Sequence, residues 1–291
     1  MAIHCNPVSG GALSKLRKHG PGRRPPGAGA PLHGYRMSFP LAGTLFILGA
    51  FGAFIAGLIG VGGGVVSFPL LLFIPRLAGV GDFDPKTVAG IVVTQVFFAC
   101  LSGGIAHARS GQISRPLAVT AGSVTLVGSF LGGLVSKILP SGALLGLFGI
   151  VTILAVFLIL VPGISESAPG PLPVARAALV SASVGTVVGI LGAGNFLFIP
   201  LAVLFLRTPF RLAVGTNMVV AGLSSFGGFL GKAVTGQVPF AAAAAVVMGA
   251  LPGAQAGEWL CRRLSTGALR RVYAVVVGLV AGRIWLSILF P

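Results

Sequence analysis

Negative charge is what this chain has least of. Four Asp and Glu residues stand among 291, against 20 Lys and Arg, and residues of either charge make up only 8%. Soluble domains carry about 25%, so a water-soluble globular fold is excluded. The three cysteines, Cys5, Cys100 and Cys261, are far apart, with no CxxC and no His/Cys cluster. That excludes a disulfide framework and a thiolate metal site. His107 is the only histidine after residue 33, and there is no Ser/His/Asp set, no HExxH and no GKS or GKT. Without those groups, neither an enzyme nor a metal or cofactor is expected.

Apolar residues, by contrast, make up 55% of the chain, and the mean hydropathy is +1.01. Apolar segments occur at about 39–60, 65–75, 86–107, 116–138 and 143–162, and again at about 174–191, 196–206, 210–232, 239–261 and 268–290. Many approach the roughly 20 residues that span a bilayer as a helix. The fold class is therefore all-α, a polytopic integral membrane protein. In a soluble protein the basic excess would suggest nucleic acid. Here the cations lie mostly at segment ends, where they set orientation and touch anionic lipid, so the bilayer is the expected partner and nucleic acid is not. Residues 1–37 are rich in Pro, Gly and Arg without hydrophobic period and read as a disordered basic extension. Met37, directly before the first apolar run, is an alternative start. Domain boundaries follow as a first transmembrane repeat at 38–162, a polar linker at 163–173 and a second repeat at 174–291.

The word repeat is meant literally. Residues 57–69 read GLIGVGGGVVSFP and residues 189–200 read GILGAGNFLFIP. Gly60 and Gly62 match Gly192 and Gly194 at an offset of 132 (192 − 60), and Lys86 and Gly90 match Arg211 and Gly215 at 125 (211 − 86). Gly132 matches Gly257, and Ser141-Gly142-Ala143-Leu144 matches Thr266-Gly267-Ala268-Leu269, again at 125. Residues 39–75 as one helix would be about 55 Å long at 1.5 Å per residue, against a hydrocarbon core of about 30 Å. The glycine run therefore joins a full helix to a short one. If the short helix spans, each half has five crossings and the halves are inverted; if it re-enters, each has four and the halves are parallel. The inverted arrangement is preferred.

Paired glycine breaks in two halves of a membrane protein point to a transport site. Helix starts there would aim N–H groups and a positive dipole end at an anion. The expected donors are Gly60, Gly62, Gly63 and Gly64 in the first break and Gly192, Gly194 and Asn195 in the second. Thr94, Gln95, Thr216 and Asn217, polar residues inside apolar segments, would complete the shell, because an amide or hydroxyl donates without carrying charge into hydrocarbon. Lys86 and Arg211 occupy equivalent positions, as do His107 and Lys232; they read as interfacial cations or as a funnel that draws anions in.

The two glycine breaks, with HARSGQI at 107–113 and RLAVGTN at 211–217, resemble the TauE/SafE family, also called the 4-toluene sulfonate uptake permease family, over residues 38–290. The second break departs from the usual pattern, with Asn195 at a glycine position and Asn217 where Ser is common. The resemblance implies a transporter of sulfite, sulfonates or related organosulfur anions in a bacterial plasma (inner) membrane, with a homodimer as a further possibility. A dianion leaving a negative interior gains about 4.6 kcal/mol per 100 mV, so export needs no coupling ion, and the shortage of acids favours it. The alternative is a proton-coupled uptake permease for an organic sulfonate or carboxylate.

Overall fold

The computed structural model describes residues 37–60, 63–109, 113–160 and 174–289. The basic extension at 1–36, the whole of the proposed linker at 163–173, and Gly62 lie outside the described residues. Ten helices and one 3-10 turn form the described part, with no strand in it: α1 (Phe39–Ile59), α2 (Gly64–Leu77), α3 (Pro85–Arg109), α4 (Arg115–Val135), α5 (Ser141–Leu160), α6 (Val174–Leu191), a 3-10 turn (Asn195–Leu197), α7 (Phe198–Phe205), α8 (Phe210–Val234), α9 (Phe240–Cys261) and α10 (Thr266–Leu289). Seven of them are long and apolar enough to cross a membrane, all but α2, α7 and α10. Large apolar side chains point outward, among them Ile47, Phe51, Leu131, Phe157, Met248 and Leu279. Polar ones such as Gln95, Thr125, Ser129 and Asn217 are turned inward. This is the inside-out arrangement of a protein solvated by lipid tails.

Glycine sets how close the helices come. A methyl group built on Gly249, Gly253 or Gly257 of α9 would lie within 2.1 Å of the carbonyl oxygen of Phe46, Ala50 or Phe54 on α1. Along α4, Gly128 abuts Ala182 and Gly132 abuts Thr186 of α6 in the same way. These are backbone-to-backbone contacts of the kind that small residues permit between membrane helices. They also give directions. Contacts advance together along α1 and α9, along α4 and α6, and along α4 and α8, where Gly227 meets Leu126 and Gly231 meets Phe130. Those pairs are parallel. Contacts run in opposite senses between α3 and α8, where Gly90 meets Gln237, Val93 meets Gly228 and Cys100 meets Gly222.

Positions that correspond in sequence thus sit in matching places. Helix α1 packs on α9 and α6 packs on α4, so the first helix of each half leans on the fourth of the other. The corresponding helices α3 and α8 point opposite ways, as an inverted pair would. Gln95 of α3 reaches Gly49 of α1, and Ala99 of α3 clusters with Ala53 of α1, so α1 and α3 run the same way. The segment between them, α2 with its loop, therefore carries the chain back. The same holds for α7, because α6 and α8 both run along α4. Helix α2 covers about 21 Å at 1.5 Å per residue, less than the full core.

Adding a methyl group at the tight crossings should be costly. Gly257→Ala is expected to lower stability by about 1–3 kcal/mol, as overpacking does, read as a lower thermal midpoint in detergent. Gly282→Ala on α10, with nothing within 4 Å of the added carbon, is expected to leave the midpoint unchanged or raise it slightly.

Candidate functional site

Each break begins where a helix ends in a left-handed glycine. Gly60 closes α1 at φ 68° and Gly192 follows α6 at φ 70°. Gly63, at φ 96°, caps the start of α2 and offers no side chain to its free N–H groups. Only Val66 and Ser67 bond back, both to the Gly63 carbonyl, at 3.2 and 3.0 Å. In the second break the helix does not start at once: Gly194 leads into the 3-10 turn at Asn195–Leu197, also without a side-chain cap, and α7 begins only at Phe198. Gly63, Gly64 and the whole stretch Gly192–Asn195 are buried.

The breaks approach from opposite faces. Gly60 rests on Val214 near the start of α8, and Gly192 rests on Ala89 near the start of α3; α3 and α8 are antiparallel, so these contacts lie toward opposite ends of the pair. Between them a methyl group on Gly64 would meet Ala193, 2.9 Å from its Cα. The two glycine runs therefore cross within the protein and touch.

Of the α3 and α8 polar residues expected around them, Gln95 and Asn217 reach the first break, with donors already committed. The Gln95 amide gives its hydrogens to Ser67 Oγ at 2.9 Å and Gly49 O at 3.3 Å, tying α3 to α2 and α1, which leaves Oε1 buried without a partner. Asn217 Nδ2 donates to Gly60 O at 2.8 Å and so caps the end of α1, while its Oδ1 stays unpartnered. The Thr94 hydroxyl turns back to Gly90 O at 2.8 Å, a bond within its own helix. Thr216 Oγ1 accepts from the Ser114 backbone N–H at 3.0 Å, tying the start of α4 to α8. Asn195 is 3% exposed, and its Oδ1 accepts from Ser224 at 2.8 Å, which turns its NH2 group away from α8.

The cations expected at the mouth behave differently from one another. Lys86 and Arg211 play matching roles: Lys86 Nζ donates to Lys137 O just past α4 at 3.0 Å, and Arg211 Nη2 donates to Leu264 O just past α9 at 3.3 Å. Both hold helix ends. Lys232 is not at the surface at all; it is 0% exposed and donates to Ser136 Oγ at 2.8 Å and Ile190 O at 3.1 Å. The His107 side chain lies outside the described residues. Sequence reasoning missed Tyr273, a fully buried α10 residue whose hydroxyl donates to Phe196 O in the second break, and Ser67, the partner of Gln95. Ser67 sits in an apolar run where a hydroxyl signals nothing, and Tyr273 is far from the break in sequence.

These features define a polytopic α-helical transporter of the plasma membrane, built around two crossing helix breaks. The chain belongs to the sulfite exporter TauE/SafE family, whose model matches residues 45–284. It is similar to the probable membrane transporter protein YunE of Bacillus subtilis (strain 168), at 26% identity over 84% of this chain and 96% of the relative. It is also similar to a probable membrane transporter protein of Xylella fastidiosa (strain Temecula1), at 29% over 78% and 88%, and to the probable membrane transporter protein MJ0441 of Methanocaldococcus jannaschii, at 28% over 64% and 70%. No solved structure matches the chain.

Because Asn217 caps α1, its loss reaches beyond any bound ligand. Asn217→Leu is expected to lower stability by about 1–3 kcal/mol by leaving the Gly60 carbonyl buried and unpaired, measured as a fall in thermal midpoint without added anion. An unchanged midpoint would mean that the cap is dispensable.

Proposed function

We propose that this protein carries a small sulfur-containing oxyanion, sulfite or a sulfonate, by alternating access between two inverted repeats. The anion is held where the breaks meet, between the start of α2 and the Asn195 turn. One observation supports this above the rest: the start of α2 and the 3-10 turn that leads into α7 are buried, without side-chain caps, and in contact at Gly64 and Ala193. The first N–H groups of a helix have no acceptor of their own, and leaving them unpaired away from water costs several kcal/mol each. An oxyanion satisfies several at once and meets the positive end of the dipole.

In this reading Gly60, Gly63, Gly64, Gly192 and Gly194 keep side chains out of the crossing, and Asn195 adds an amide donor. Gln95 and Asn217 hold the first break in place, and Thr94 and Thr216 bond to Gly90 O and the Ser114 N–H, rather than forming the main shell. Export is the favoured direction, driven by the membrane potential. A second reading, proton-coupled uptake of an organic sulfonate or carboxylate, draws on Glu258: it is 1% exposed within α9, with Arg262 Nε 3.9 Å away, and carboxylates inside membrane helices mark coupling.

Two measurements on purified protein separate these. Sulfite or a small sulfonate is expected to raise the thermal midpoint, while chloride at equal ionic strength does not. In proteoliposomes, efflux of that anion is expected to rise with an inside-negative potential and to need no pH gradient. Flux that follows the pH gradient and disappears in Glu258→Gln would establish coupled uptake instead.

A further inference from the structure

We propose that Lys232 is a second anion-binding station, one that takes the transported oxyanion between the crossing of the breaks and one face of the membrane. This rests on the anion-transport reading above. The ammonium is fully enclosed, yet both of its hydrogen-bond acceptors are neutral, Ser136 Oγ and Ile190 O. Neither partner is an acid: Glu258 is on α9 with Arg262, and Asp84 is held by Ser141 Oγ at 2.8 Å and by the Lys86 backbone at 3.1 Å. Buried charges are otherwise paired or bound to an ion of opposite sign. Here the compensation comes from helix ends. Ser136 is the C-cap of α4, Ile190 is the penultimate residue of α6, and Lys232 stands in the last turn of α8. The ammonium thus sits where α4, α6 and α8 end, with one helix-terminal carbonyl, Ile190 O, among its acceptors. That is partial compensation only, and it leaves the ammonium short of the full opposite charge that an anion would bring.

The position suits a station. Ile190 lies two residues before Gly192, so the ammonium grips the rim of the second break. The third N–H of Lys232 has no acceptor among the described residues. The Ser136 hydroxyl is 3.0 Å from Gln237 Oε1, and Gln237 Nε2 donates to Gly133 O and Thr235 Oγ1, so the wall around the ammonium is polar. Half-buried Lys86 donates to Lys137 O, the residue next to Ser136. Cations at Lys86, Lys137 and Lys232 thus run from the exposed end of α4 inward to the break. The matching position in the first half is His107, so a lysine stands on one side of the repeat only.

The test uses the full chain in detergent with sodium sulfite as probe and sodium chloride as the ionic-strength control. Lys232→Met is expected to keep or raise the thermal midpoint without anion, since removing an uncompensated buried charge is neutral or stabilising. Its sulfite concentration for half-maximal stabilisation is expected to rise at least tenfold. Lys232→Arg is expected to stay within about threefold of the wild type. Should Lys232→Met not fold, Lys232→Gln serves in its place. A Met or Gln variant that binds sulfite as the wild type does would overturn the station and leave the transport reading standing. A wild type that no anion stabilises would remove both.

Discussion

The structure depends on backbone meeting backbone at glycine. Lipid tails are as apolar as leucine, so no hydrophobic force drives one membrane helix onto another, and packing rests on how closely surfaces fit. Here the fit is set at Gly249, Gly253 and Gly257 on α9 and at Gly128 and Gly132 on α4, each seated on a carbonyl or main-chain atom of the facing helix. Those crossings fix α1 against α9 and α6 against α4. They thereby fix where both helices stop, and so where Gly60 and Gly192 open the breaks. The site is an outcome of the scaffold's closest contacts rather than an addition to it.

Near-symmetry makes the departures from it informative. The crossings at Gly132 and Gly257 are equivalent, and the caps supplied by Lys86 and Arg211 are equivalent. The breaks are not. One starts α2 directly; the other passes through a 3-10 turn and leaves α7 only eight residues long. Glu258 stands where the first half has Gly133, and Lys232 where it has His107. A lysine at one end and a carboxylate at the other make the two ends of the structure chemically unlike.

Much of this was legible in the chain. Apolar run lengths gave the ten segments within a few residues, because a bilayer of fixed thickness leaves little freedom in helix length. The glycine breaks were legible because consecutive glycines have no other business in an apolar helix. What the residues near them do was less so. Asn217 and Gln95 looked like free donors, but a donor's partner is a matter of three dimensions: each spends its amide on a carbonyl more than 40 positions away. Lys232 looked interfacial because it ends a helix, and only the convergence of α4, α6 and α8 encloses it. The basic residues do not fix the relative direction of α3 and α8; the run of contacts between them, which is antiparallel, does.

The exchange of partners between the halves bears on how the protein is made. As the first half leaves the ribosome, the faces of α1 and α4 that carry the tightest contacts have nothing to meet; their partners, α9 and α6, are still to be synthesised. Neither half closes on itself, so assembly waits for the chain to be nearly complete. The same topology gives each half a ready-made docking face for the other, so two separately translated halves hold the information to find each other in the bilayer.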